Sequence, residues 1–217
     1  MAGKATGSTP LSTPLPLPEL VGRVAVLGGT PSDKSNLIVG LALRQARLHG
    51  SIFCLDARHH QQIELQLRLL LRQQTDYRDY RYVRVSGDVS VEIARSVLSV
   101  VGSSLSSKST PAPLLLCDYL TETLDWERTI QFLLKANATI VEILASPAAL
   151  TFGRYDTVLL LREPANIADA LSRAAGRKVS VENITQLKAG EAWLIHLTQV
   201  HYVKFPRIGD EESKLRS

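Results

Sequence analysis

Arg23-Val24-Ala25-Val26-Leu27-Gly28-Gly29-Thr30-Pro31-Ser32-Asp33-Lys34-Ser35 is the stretch on which the reading of this chain turns. A short apolar run, Val24 to Leu27, meets two glycines and then Lys-Ser at the mouth of a long amphipathic segment. The order is strand, loop, helix, the setting in which a phosphate-binding loop is built. In such a loop, backbone N–H groups and a helix N-terminus surround a phosphate, and a lysine neutralises it. Counted from Gly28, Lys34 and Ser35 stand at the last two positions of G-x-x-x-x-G-K-[ST], and Asp33 stands at the second glycine. The candidate nucleotide-binding residues are therefore Gly28, Gly29, Thr30, Ser32, Lys34 and Ser35, with Ser35 also a candidate ligand of a metal ion.

Asp33 changes the chemistry of the loop. It puts a carboxylate where a phosphate would sit, and a side chain where the backbone must approach closely. Pro31 removes one further N–H from the cradle. The residues therefore predict phosphate-loop architecture, with anion binding weakened and hydrolysis weakened further.

Working outward, apolar runs and helical spacings alternate along the chain. Strands are predicted near 23–28, 51–56, 82–85, 114–118, 139–144 and 155–161, and helices near 34–48, 61–74, 94–101, 126–134 and 166–175. Runs that are apolar on both faces suit central parallel strands covered by helices. The stretches 192–197 and 201–205 read as a closing antiparallel hairpin. The fold class is α/β, with a mostly parallel, doubly wound sheet. Residues 1–19, with prolines at 10, 14, 16 and 18, read as a disordered arm, residues 20–206 as one domain, and 207–217 as a charged tail.

Asp118 closes the apolar strand Leu114-Leu115-Leu116-Cys117, the place from which phosphate-loop proteins hold Mg²⁺. The position after it is Tyr119, and Glu122 lies further along, so no carboxylate directly follows Asp118 to serve as a general base. A missing general base costs hydrolysis more than binding, and no catalytic residue is assigned.

Gly28 to Ser35 resembles the Gly-x-Thr-Gly-Ser-Gly-Lys-Ser loop of the FtsK–HerA ATPases and conjugative coupling ATPases, with two glycines replaced by Pro31 and Asp33. Downstream, the strand Tyr155-Asp156-Thr157-Val158-Leu159-Leu160-Leu161, the helix Ala168-Asp169-Ala170-Leu171-Ser172-Arg173-Ala174-Ala175-Gly176 and the turn Leu187-Lys188-Ala189-Gly190-Glu191-Ala192 are similar to the C-terminal part of that core. The resemblance spans residues 20–207. It implies a three-layer, RecA-like P-loop NTPase fold, ATP and Mg²⁺ as ligands, and homo- or hetero-oligomers of related ATPase subunits acting on DNA. Arg173 and Arg177 lie where an inter-subunit arginine finger would sit; the alternative is two solvated cations at a helix end. Ser146 follows a strand at a sensor position, or is a turn residue before Pro147.

Residues 76–84 interleave tyrosines with arginines, and Arg78, Tyr80, Arg81 and Arg84 are candidate nucleic-acid contacts by stacking and phosphate pairing. Asp76 and Asp79 dilute that charge, and a solvated loop entering an edge strand is the competing reading. His59-His60 has no cysteine or further histidine at ligand spacing and reads as a surface pair.

Composition bounds these readings. In 217 residues, 45% hydrophobic, there is room for one sizeable core. Twenty-five Lys plus Arg against 21 Asp plus Glu, a net charge of +4, permits an anionic partner without demanding one. Cys54 and Cys117 sit in apolar runs and read as reduced, buried thiols of a cytoplasmic protein. No apolar run reaches the length of a membrane span, and no apolar segment follows Lys4 to make a secretory signal. Three functional readings stay open: a degenerate ATPase-like domain with weak or structural nucleotide binding in a DNA-transfer or DNA-processing assembly, a nucleotide-free pseudo-ATPase serving as an interaction subunit, or an active ATPase with an unconventional loop.

Overall fold

The computed structural model describes residues 13–48, 50–56, 67, 80–84, 99, 112–118, 124–150 and 153–205, with backbone alone at 56, 80–84, 118, 124 and 125. Its strands are β1 (Leu15–Pro16), β2 (Arg23–Leu27), β3 (Ile52–Asp56), β4 (Tyr80–Arg84), β5 (Leu114–Asp118), β6 (Thr139–Ile143), β7 (Thr157–Leu160), β8 (Glu191–His196) and β9 (Gln199–Lys204). They form one sheet in the order β1-β9-β8-β7-β2-β6-β5-β3-β4. From β7 to β4 every pairing is parallel, and β8 and β9 extend the β7 edge as an antiparallel hairpin.

The strand that opens the quoted stretch lies in the middle of this sheet. All five residues of β2 are buried, as are all five of β6. Side chains alternate between faces along a strand. Val24 and Val26 join a core with Leu37, Ile38 and Leu41 of helix α1 (Pro31–Arg47), together with Ile52, Leu116 and Val141. On the opposite face, Ala25 and Leu27 pack with Val158, Leu160 and helix α3 (Ala165–Ala174). Helix α2 (Leu124–Lys135) brings Trp126, Ile130 and Leu133 against Phe53, Leu55 and Leu115 on that same face. Helices on both sides of a parallel sheet give three layers, as the sequence predicts.

The second face is divided by charge. Arg23, fully buried, donates from Nε to Glu142 Oε2 at 2.5 Å and from Nη1 to both carboxylate oxygens of Glu127 at 2.9 Å. Its guanidinium also stacks 4.7 Å from the Tyr155 ring centroid. Burial works against the cation, but Glu142, Tyr155 and Glu127 outweigh it and hold Arg23 protonated. This pairing lies where the β2 strand starts, the opposite end from the glycines.

Several boundaries differ from the sequence reading. Helix α1 starts at Pro31 rather than Lys34. Thr30 and Asp33 form a capping box, and Pro31 supplies the φ of a first helical residue without an N–H to satisfy. The arm expected to be disordered through residue 19 is ordered from Leu15: β1 runs parallel to β9, and Leu17 and Leu20 are buried. Leu17 N–H donates to Lys204 O, and Arg44 Nη1 donates to the carbonyls of Leu17 and Pro18. Two leucines among prolines are enough to anchor the chain on an edge that tolerates a missing donor.

A short helix, α4 (Val181–Thr185), capped by the Ser180 hydroxyl, has no counterpart in the sequence reading. The hairpin begins its second strand at Gln199, because Leu197, at φ 53°, and Thr198 make a two-residue turn. Both cysteines are buried, as their apolar surroundings in the sequence predict. The helices expected near 61–74 and 94–101 lie outside the described residues, apart from helical positions Leu67 and Ser99. So do His59, His60, Arg78, Tyr119, Glu122 and the tail from 207. Among the described residues no helix is long and apolar enough to cross a membrane.

Candidate functional site

The turn between β2 and α1 is built by two glycines in the left-handed region, Gly28 at φ 77° and Gly29 at φ 80°. A Cβ on Gly28 would stand 2.8 Å from Leu161 O and 3.0 Å from Glu163 Cγ, and one on Gly29 would stand 2.7 Å from Leu161 Cδ1. The turn is thus pressed against the residues that leave β7. Leu161 N–H donates to Leu27 O and Gly29 N–H to Arg162 O, so the end of β7 fixes the turn.

After these glycines the helix begins at once. Thr30 is the N-cap: its Oγ1 accepts from Asp33 N–H at 3.2 Å. The Asp33 carboxylate returns the contact, accepting from Thr30 N–H at 3.1 Å and from the Thr30 hydroxyl at 2.8 Å. Lys34 N–H makes an early helical bond, to Thr30 O. The Ser35 hydroxyl donates to Pro31 O at 2.8 Å, a bond within the helix. Gly28, Gly29, Thr30, Ser32, Lys34 and Ser35 are therefore together at one corner, with Lys34 and Ser35 at the fourth and fifth helical positions.

Glu163 completes this corner and was not among the residues singled out from the sequence. It is half-buried beside the turn, and burial pushes its carboxyl above the ordinary range. The Lys34 ammonium pulls the other way, the Asp33 carboxylate adds to the rise, and the Gly29 N–H favours the charged form. The available signal was positional: a carboxylate two residues beyond an apolar strand whose partner carries the glycines.

Asp118 stands on the same edge of the sheet. Its backbone is in register with Ile143 of β6, which is in register with Val26 of β2. Two strand spacings separate Asp118 from Val26, about 10 Å. On its other side Asp118 is in register with Asp56, and Asp56 with Arg84. One row across the sheet thus holds Arg84, Asp56 and Asp118 at the ends of three parallel strands. Ser146 caps a 3₁₀ turn, Pro147–Ala149, on leaving β6 at this edge.

Other candidates lie apart. Arg173 is exposed and paired with Asp169 at 2.9 Å, one helical turn away. Arg177 is exposed, at φ 57° beyond the C-terminus of α3. Helix α3 leaves the glycine edge, and its ten residues carry its far end about 15 Å away. The chain does not bring Arg173 or Arg177 to its own turn. Tyr80, Arg81 and Arg84 belong to β4, at the end of the sheet order. Among the described residues no group of three or more His, Cys, Asp or Glu could hold a metal ion.

A central parallel strand leading through a glycine turn into a helix, flanked in the order β7-β2-β6-β5-β3, defines a RecA-like P-loop NTPase fold. Solved structures with this fold include B204, the DNA-packaging ATPase of Sulfolobus turreted icosahedral virus, at TM-score 0.57 and 13% identity over 84% of this chain and 97% of that one. B204 of Sulfolobus turreted icosahedral virus 2, solved in complex with AMP, matches at TM-score 0.58 and 15% identity over 85% and 96%; the same protein is also solved with ATP-gammaS. VirB4 of Thermoanaerobacter pseudethanolicus matches at TM-score 0.56 and 10% identity over 88% and 91%. No family model and no curated protein matches the chain. The fold implied by the FtsK–HerA resemblance is the fold observed.

Proposed function

We propose that this chain is an ATPase-like subunit of an assembly that moves or packages DNA, and that it binds a nucleotide weakly, or as a structural ligand, at the β2–α1 corner. The observation that carries this reading is the placement of the Gly28-Gly29 turn, Lys34 and the Asp118 position on one edge of a sheet with P-loop order. The fold is shared with a DNA-packaging ATPase, with B204 bound to AMP and to ATP-gammaS, and with VirB4.

In this proposal the backbone from Gly28 to Ser32 faces the phosphates and Lys34 neutralises them. Mg²⁺ would be held by Ser35 and Asp118, supplying charge neutralisation between phosphate oxygens. The fit is partial: the Ser35 hydroxyl must leave Pro31 O, and Asp33 and Glu163 bring negative charge to an anion site. That misfit is the physical ground for weak binding, and no hydrolytic step is assigned to any residue. Arg173 and Arg177 would serve only across a contact between subunits, and Arg78, Tyr80, Arg81 and Arg84 would meet a nucleic-acid strand along the β4 edge.

Isothermal titration with ATP and Mg²⁺, on the wild type and Lys34→Ala, tests this reading. Saturable heat abolished by the substitution supports it. A second reading, a nucleotide-free interaction subunit, is favoured by the Asp33 carboxylate already closed on Thr30. Absence of heat from both proteins supports that one.

A further inference from the structure

The edge of the sheet opposite the glycine turn, where β7 begins, holds a cavity of about 180 Å³ walled by Leu150, Val158, Ile195 and Leu197. Leu197, in the β8–β9 turn, stands at its rim, 72% exposed. Lys178 Nζ donates to the Leu197 carbonyl at 2.5 Å and keeps this turn beside the cavity. An apolar hollow of this kind is a seat for an apolar anchor side chain. The charge around it is mostly positive. Lys178 lines the cavity, Arg177 precedes it, and both are exposed. Arg154 follows Gly153 of the wall and shares its charge with Glu127. Among the described residues that line the cavity Asp156 is the one acid, and it accepts from Arg23 N–H.

A matching segment follows β9 in the same chain: Arg207-Ile208-Gly209-Asp210-Glu211-Glu212. We propose that this segment of one copy docks on a second copy, with Ile208 in the cavity, Arg207 against Asp156, and the three acids against Lys178, Arg177 and Arg154. Reach excludes docking of Ile208 on its own copy. β9 starts beside the cavity and runs to the glycine edge, where Phe205 N–H donates to Gly190 O. Its six residues span about 20 Å. Ile208 follows Phe205 by three residues, about 10 Å of fully extended chain. Charge selects Ile208 over Leu215, which stands between Lys214 and Arg216. Size agrees, since an apolar cavity of roughly 150 Å³ accepts a benzene-sized group and an isoleucine side chain is smaller. With the tail on one edge and its seat on the opposite edge, the contact is heterologous and joins copies head to tail into a ring or a chain. Docking of this kind needs no nucleotide.

The test is sedimentation velocity of the full chain, without nucleotide and over a range of concentrations, on the wild type, Ile208→Asp and Lys178→Glu. A thermal melt confirms folding of each variant, and Arg177→Glu, at an exposed site, replaces Lys178→Glu if loss of the Leu197 contact unfolds the protein. The wild type is expected to self-associate, and each substitution to weaken association at least about tenfold. An equimolar mixture of the two variants restores a single contact, the intact tail of Lys178→Glu on the intact cavity of Ile208→Asp, and is expected to form pairs and nothing larger. Pairs in the mixture, from variants that are monomeric alone, support the proposal. A wild type that stays monomeric overturns it and leaves the cavity to another partner. Association unchanged in either variant, or a mixture that stays monomeric, overturns it too. None of these outcomes bears on the nucleotide site, which the Lys34→Ala titration reads separately.

Discussion

Gly28 and Gly29 carry a steric demand that a sequence pattern cannot express. Both lie in the left-handed region, and a methyl group on either would meet Leu161 within 3 Å. Gly28→Ala is expected to cost about 1–3 kcal/mol, read as a lower midpoint in urea unfolding. The two glycines were legible from spacing alone, and so was Lys34. Glu163 was not: its importance comes from β7 lying beside β2, a neighbour distant in sequence.

Arg23 teaches the same lesson at the other end of the strand. In the sequence it opens an apolar run, and nothing marks its pairing with Glu142, 119 residues away. Arg23→Met leaves Glu142 buried without its cation and is expected to destabilise by about 3–5 kcal/mol, whereas Arg23→Met with Glu142→Met costs less than the two single changes added. Equilibrium unfolding of the four proteins measures this coupling. Glu127 is partly shielded: burial raises its carboxyl, but Gln131 and Arg23 outweigh burial and hold it below its ordinary value of 4.5. A depressed carboxyl gives stability that is present above the unfolded pKa and lost as pH falls through the folded one. The melting temperature should therefore fall on acidification below about pH 4.5, and Glu127→Gln should flatten that slope.

At the scale of elements, α1 shows how a local device shifts a boundary. The G-x-x-x-x-G-K-[ST] count places the helix start at Lys34, but Thr30, Pro31 and Asp33 make a better start three residues earlier. The loop is shortened to its glycines and cap, and the site inherits a carboxylate. Pro31→Gly with Asp33→Gly should lengthen the loop. It is expected to raise affinity for ATP while lowering stability by about 1–2 kcal/mol through the lost cap. Calorimetric titration and thermal unfolding of the same protein report the two effects, and unaltered affinity would refute this account of the loop. The buried strands were legible because both of their faces are apolar, whereas five-residue α4 was not, since one helical turn carries no periodicity.

At the scale of the whole molecule, the sheet order decides which strand ends meet. Strand–helix alternation made the fold class legible, but the register that sets Asp118 beside Asp56, and two strands from Val26, is a property of the assembled sheet. If Asp118 serves a metal, Asp118→Asn should remove the gain in ATP affinity that Mg²⁺ provides and leave metal-free binding unchanged, in titrations with and without the ion.

The two residues of β1 bear on how this molecule behaves at high concentration. An unguarded outer strand is a template on which a neighbouring chain can continue hydrogen bonding. Here the chain lays its own Leu15 and Pro16 along β9, and the proline ring offers nothing to donate. Growth of the sheet into fibres is thereby discouraged on that flank, by a segment whose composition gives no hint of such a protective task.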